Sequence, residues 1–179
     1  MKKSDLKENC LRPLALKDAP LMHEWMQDDS VVRDLQNDFH QMTVDDCESF
    51  IEQSLMDNDN LHLAIVNAND EYQGTVSLKH VTNESAEFAI VIRSNAFGKG
   101  IAKNAMEEII RIGFEEKGLE YIYWCVSPKN KRAVRFYEKN GYTCVSPNNI
   151  TIVGYNKELI KSYQWYMITR TFYKIEEWF

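Results

Sequence analysis

Glycine and proline are scarce, seven and four in 179 residues, and no low-complexity tract or internal repeat interrupts the chain. That argues against a disordered, fibrous or repeat protein. The four cysteines, Cys10, Cys47, Cys125 and Cys144, never form a Cys-x-x-Cys pair, so neither a disulfide framework nor a thiolate metal site is expected. Reduced thiols in a cytoplasmic protein are the plain reading. His23, His40, His62 and His80 are equally isolated, and no metal is expected. No uncharged run is long enough to cross a membrane. Asp5, Lys7 and Glu8 interrupt any apolar continuation of Met1-Lys2-Lys3, so no export segment is expected either.

What is present is a packed globule: 44% apolar residues and 12% aromatic, in a length that one domain can fill. The expectation is a single domain over 1–179, with a core at about 10–146 and C-terminal strands plus an aromatic tail over 147–179. The net charge of −6 is unevenly spread. Residues 1–92 carry seven basic against eighteen acidic side chains; residues 93–139 carry ten against six. Lys99, Lys103, Lys129, Lys131, Arg132, Arg135 and Lys139 make up that basic island. It suits a small polyanionic ligand, whereas the acidic remainder would repel a long phosphate backbone, so no nucleic-acid partner is expected.

Pattern and punctuation divide the chain into elements. Cys10–Ala15 reads as a strand and Lys17–Met26 as a helix. Thr43 with Asp46 resembles a capping box opening a second helix to Met56. Leu61–Val66, Gln73–Val81 and Ala86–Ile92 read as an antiparallel meander. Lys99–Glu116 is a long amphipathic helix stopped by Gly118, Tyr121–Val126 a strand buried on both faces, and Asn130–Lys139 a short helix. Strands at Tyr142–Val145, Asn149–Val153 and Tyr163–Phe172 complete the sheet. The fold class is α+β, a mixed, mainly antiparallel central sheet flanked by helices in the order βααβββαβαββ.

The turn Phe97-Gly98-Lys99-Gly100-Ile101-Ala102 joins a strand to a helix. Glycines admit an anion close to the backbone, and the following helix offers unpaired N–H groups and the positive end of its dipole. A dinucleotide fingerprint needs a third glycine where Lys103 stands, and a P-loop needs a Gly-Lys-Ser/Thr ending that is missing. The chain instead resembles the GNAT superfamily of acetyltransferases from Leu11 to about Val145. That family's motif Arg/Gln-x-x-Gly-x-Gly/Ala is matched at Gly100 and Ala102, with Phe97 in the Arg/Gln place. A second motif, Asn-x-x-Ala-x-x-x-Tyr-Glu-Lys-x-Gly-Tyr/Phe, is matched at Asn130, Ala133, Tyr137, Glu138, Lys139, Gly141 and Tyr142. The aromatic at 97, followed by Gly-Lys-Gly, and Trp25 are similar to the branch holding ribosomal-protein alanine and polyamine acetyltransferases, and the strand stretch Leu61–Ile92 is similar to the amino-sugar-nucleotide acetyltransferases of that branch.

The resemblance implies acetyl-CoA as cosubstrate. Its pyrophosphate would lie on Phe97, Gly98, Lys99, Gly100, Ile101 and Ala102, and its pantetheine arm along the backbone of Ile90 and Ile92, touched by Asn130. The resemblance places the proton donor to the leaving thiolate at Tyr137 and a base on the strand of Glu87. Full proton transfer from a phenol, pKa near ~10, to a thiolate, near ~8.5, is uphill by roughly 2 kcal/mol. A hydrogen bond that strengthens with thiolate charge is therefore expected of Tyr137, unless Arg135 or Lys139 depresses the phenol. Glu84 and His80 are weaker alternatives as base. The acceptor pocket is expected from Asp28–His40, the second helix and the tail Tyr163–Phe179. Their acids favour a small cationic, polyamine-like amine; a protein N-terminus or an amino-sugar nucleotide stays open, the latter needing Arg33, Lys79 or Arg93. Two rivals stay open: a non-catalytic acyl-CoA-binding regulator on the same scaffold, and a pure interaction module using Trp165, Trp178 and the tail aromatics for partner contact. The tail strands leave room for a homodimer.

Overall fold

A computed structural model describes residues 9–176. Its seven strands are β1 (Asn9–Pro13), β2 (Leu61–Asn67), β3 (Tyr72–Lys79), β4 (Ser85–Ile92), β5 (Tyr121–Val126), β6 (Cys144–Val145) and β7 (Gln164–Thr169). They form one sheet in the order β1-β2-β3-β4-β5-β7-β6. Every neighbouring pair is antiparallel except β4 with β5. The helices are α1 (Ala19–Met26), α2 (Asp29–Val32), α3 (Val44–Met56), α4 (Ile101–Arg111), α5 (Lys131–Lys139), α6 (Lys157–Ser162) and α7 (Arg170–Glu176).

Local chemistry sets the ends of these elements. Thr43 and Asp46 form the expected capping box: Asp46 N–H donates to Thr43 Oγ1 at 3.2 Å, and Thr43 N–H donates to Asp46 Oδ2 at 2.8 Å, satisfying donors that the first turn leaves over. Asp18, directly before α1, makes no side-chain cap to that helix. It is buried in a 3₁₀ turn, where its carboxylate accepts two hydrogen bonds from Arg12, each 2.8 Å, and one from the Ala15 N–H. The long helix ends as a π turn over Ile112–Glu116.

The two faces of the sheet bury different cores. One packs Val76, Leu78, Phe88, Ile122 and Trp124 against α4 and α5 through Ile101, Ile109 and Tyr137. The other packs Ala64, Val66 and Tyr72 against α1 and α3 through Met22, Trp25, Cys47 and Ile51. A smaller cluster joins Tyr123, Ile150 and Trp165. Gly74 lets β3 approach β4 closely: a Cβ there would stand 2.2 Å from the Val91 carbonyl oxygen. Gly74→Ala must displace ladder backbone, so it should cost about 2–3 kcal/mol by urea denaturation.

The C-terminal third departs from expectation. Residues 149–153 form no strand. Pro147–Asn149 is a 3₁₀ turn capped by Ser146, whose hydroxyl accepts from Asn148 N–H, and Ile150 alone of the apolar pair Ile150 and Ile152 is fully buried. The strand expected over Tyr142–Val145 shrinks to two residues. That expected over Tyr163–Phe172 stops at Thr169, where α7 begins; there Arg170 N–H donates to the Glu120 carbonyl and its Nε to that of Leu119. Helices α2, α6 and α7 are additions to the expected order.

Candidate active site

The parallel pairing of β4 with β5 is short. It joins Ser85 with Tyr121, Ala86 with Ile122 and Glu87 with Tyr123, and goes no further. Beyond Glu87 the strands diverge, leaving the backbone of Phe88–Ile92 on that side, and of β5 toward Val126, without a strand partner across the gap. β3 still pairs with β4 as far as Ile92. A cavity of about 450 Å³ opens at the split. Residues of every expected acceptor element line it: Asp34, Gln36 and Phe39 after α2, Asp46 and Phe50 of α3, and Tyr163 before β7. Trp25 and Met26 of α1 and Thr75, Ser77 and Lys79 of β3 complete much of the wall.

Glu87, Ile90, Asn130 and Tyr137 all line this cavity. The sheet brings together residues from β4 and α5 that the sequence separates by some fifty positions. Asn130 is buried and caps α5, its Oδ1 accepting from Ala133 N–H at 3.1 Å. Tyr137 packs its ring against Tyr166 and Trp124, with centroids 5.1 and 5.4 Å away. Burial, reinforced by Tyr166, Cys125 and Tyr142, raises its phenol pKa, and neither Arg135 nor Lys139 counteracts that.

Glu87 is 3% exposed. Its Oε1 accepts from the Tyr155 hydroxyl at 2.7 Å and lies 3.2 Å from Lys79 Nζ. Its Oε2 is buried without a hydrogen bond, with His80 Nε2 at 3.6 Å. Tyr155 in turn accepts from the Cys125 thiol at 3.7 Å, and burial pushes that thiol up to about 11. Burial also raises the Tyr155 phenol, and the bond to Glu87 adds to it. Tyr155, Lys79 as the cross-strand partner of Glu87, and Cys125 were not singled out as site residues from sequence. Tyr155 carries no local signal, being 68 positions from its partner. The Lys79–Glu87 pair follows from the β3–β4 register, which the turn at Asn83-Glu84-Ser85 could have suggested.

Ile92, Phe97, Gly98, Lys99, Gly100, Ile101 and Ala102 lie apart from the cavity wall, at the end of β4 and the start of α4. Gly98 and Gly100 have φ of +74° and +78°, and a Cβ on either would meet nothing within 4 Å. Gly100 is the N-cap of α4. The turn is therefore an open, left-handed backbone at a helix N-terminus, a setting whose N–H groups suit an anion. Arg132 of α5 sits over the Phe97 ring, 3.9 Å from its centroid, and donates to the Ser30 carbonyl. An arginine from α5 thus covers the aromatic that occupies the motif's Arg/Gln place. Lys99, Lys129, Lys131 and Arg135 are exposed, and none forms an ion pair among the described residues.

Of Arg33, Lys79 and Arg93, only Lys79 lines the cavity. Arg93 is buried against Glu24 and Glu71, and the exposed Arg33 pairs with Asp34. Trp165 is 1% exposed and donates its indole N–H to the Ile160 carbonyl at 2.8 Å, which removes it from any partner-facing surface. Trp178 lies outside the described residues. Among those residues no helix is long and apolar enough to cross a membrane, and no cluster of three His, Cys, Asp or Glu could hold a metal.

A sheet that splits between its two parallel strands, with an open, left-handed glycine turn leading from the split strand into a helix, defines an acyl-CoA-dependent N-acyltransferase. The chain belongs to the GNAT acetyltransferase family: the Acetyltransferase (GNAT) domain model matches residues 9–143. It is 28% identical over 140 residues to the spermidine N(1)-acetyltransferase of Escherichia coli K12, covering 74% of this chain and 72% of that protein. It is also 27% identical over 79 residues to acetyltransferase PseH of Campylobacter jejuni, 44% of this chain and 49% of that protein. In fold it is similar to the Vibrio cholerae spermidine N-acetyltransferase crystallised with CoA and spermine. The TM-score is 0.76 at 22% identity, over 94% of this chain and 99% of that one.

Proposed function

We propose that this N-acetyltransferase moves the acetyl group of acetyl-CoA directly onto a primary amine of a small, polyamine-like cation. The carrying observation is a buried carboxylate, Glu87, at the divergence of β4 and β5, in a cavity that adds Asp34 and Asp46 to walls of Trp25, Phe39, Phe50 and Tyr163. Acids attract a cation, and aromatic faces favour it further. The spermidine acetyltransferase relatives support the same class. A nucleotide-linked amino sugar fits less well, since Arg33 and Arg93 are spent outside the cavity. The free cysteines suit a cytoplasmic enzyme.

The residues present fit acetyl-CoA as donor. In this reading the N–H groups of Gly98–Ala102 and the α4 dipole receive the pyrophosphate, and Lys99, Lys129 or Arg132 the outer phosphate. The unpaired edge of Phe88–Ile92 receives the pantetheine amides, and Asn130 adds a side-chain contact. The acceptor arrives as an ammonium. Holding it neutral at pH 7 costs roughly 4–5 kcal/mol for a lysine-like amine. Glu87 takes up the proton, directly or through Tyr155, whose hydroxyl already donates to it. The neutral nitrogen attacks the thioester carbon, and Tyr137 stabilises the departing thiolate.

The test is release of free thiol from acetyl-CoA against spermidine, spermine, N-terminal peptides and amino sugars. The expected outcome is turnover with the polyamines at kcat/KM at least about tenfold above the others. CoA binding with no acceptor-dependent thiol would favour the regulator instead.

A further inference from the structure

We propose that His80 is the exit by which the proton collected at Glu87 reaches solvent. The inference rests on Glu87 as the base. An ammonium nitrogen loses two protons on becoming an amide nitrogen, one of which ends on the CoA sulfur. The other must leave the site in every turnover. With acceptor and pantetheine filling the first cavity, its mouth is a poor route.

The structure holds a second cavity of about 330 Å³, lined by His80, Glu84, Ser85, Tyr121, Tyr123 and Val153. The His80 side chain is 39% exposed, and its Nε2 is 3.6 Å from Glu87 Oε2. That oxygen is buried and accepts no hydrogen bond, whereas Oε1 is taken by Tyr155 and Lys79. Glu87 and Tyr155 line the first cavity and His80 lines the second, so the approach of Glu87 Oε2 to His80 Nε2 links the two. His80 is held there by a left-handed backbone, φ +50°, fixed by its N–H donating to Asn60 Oδ1 at 2.7 Å. A non-glycine residue in that conformation is costly and marks a position the fold enforces. The groups facing Glu87 are Lys79 from β3, Tyr123 and Cys125 from β5, and Tyr155 from the β6–α6 connection. Glu84 and Tyr121 share the second cavity with His80.

The step balances simply. The amine N–H bond breaks and a carboxyl O–H bond forms on Glu87. A turn about Cγ–Cδ carries that proton to His80 Nε2, regenerating the carboxylate, and the imidazolium releases a proton to the second cavity. No oxidant or further reactant is needed.

His80→Asn tests this, because asparagine tolerates the left-handed backbone; His80→Gln is the second variant. Steady-state kinetics with spermidine should show kcat lowered roughly 10- to 100-fold, with KM for both substrates unchanged. Imidazole, small enough for the second cavity, should restore the rate in a concentration-dependent way. Wild-type kcat in both folded variants across pH, or a loss that imidazole does not restore, overturns the relay. Glu87→Gln assayed alongside separates the two readings: if it is inactive while His80→Asn is unimpaired, only the relay falls. If it keeps full activity, the base falls and the relay with it.

Discussion

Glu87→Gln is expected to lower kcat about 10²- to 10⁴-fold, the range a positioned general base contributes, with KM for acetyl-CoA within about twofold. The amide keeps the size of the carboxylate and can still accept the Tyr155 hydroxyl, now 2.7 Å from Oε1, so the cavity wall survives. What disappears is the capacity to hold a proton and the partner of Lys79 at 3.2 Å. The pH profile separates these two losses. Without a base, the neutral amine must come from solution, so residual activity should rise about tenfold per pH unit until the amine itself titrates near ~10.4. A purely structural loss would give a low rate with no such slope. Retained kcat at neutral pH would exclude Glu87 as base.

Residues that act through local geometry were readable before any coordinates. The glycine turn was legible because Gly98 and Gly100 must adopt positive φ, which few residues share, and Asn130 through Tyr142 because one short helix, its N-cap and the turn that follows it carry the whole motif. The Thr43–Asp46 box is likewise a four-residue event. The environment of Glu87 was not legible. It depends on Tyr155, delivered by an irregular connection, and on a β3–β4 register that places Lys79 opposite it. The misread strand at 149–153 has the same origin. Ile150 and Ile152 alternate as a strand would, but Pro147 starts a 3₁₀ turn, and Ile150 alone of the two is fully buried, beside Tyr123 and Trp165. Alternation reports which side is buried; hydrogen-bond partners decide whether the backbone is a strand.

Tyr137→Phe is expected to lower kcat about 10²- to 10³-fold, the cost of removing one donor aimed at developing charge, with little change in either KM. The ring should stay, since its contacts with Trp124 and Tyr166 involve carbon atoms that phenylalanine keeps. Burial lifts the phenol pKa above its ordinary value, so handing its proton fully to a thiolate becomes more uphill than the roughly 2 kcal/mol of the free groups. The same burial lowers the local dielectric, which strengthens a hydrogen bond from phenol to sulfur as thiolate charge grows. The sign for pH follows. A raised folded-state pKa keeps the donor protonated below it, and the contribution is lost only as pH climbs through it. The wild-type to Tyr137→Phe ratio should therefore stay constant from about pH 6 to beyond pH 9. A ratio that collapses between about pH 8 and 9 would mean a depressed phenol and true proton transfer; a ratio near one throughout would remove Tyr137 from the reaction.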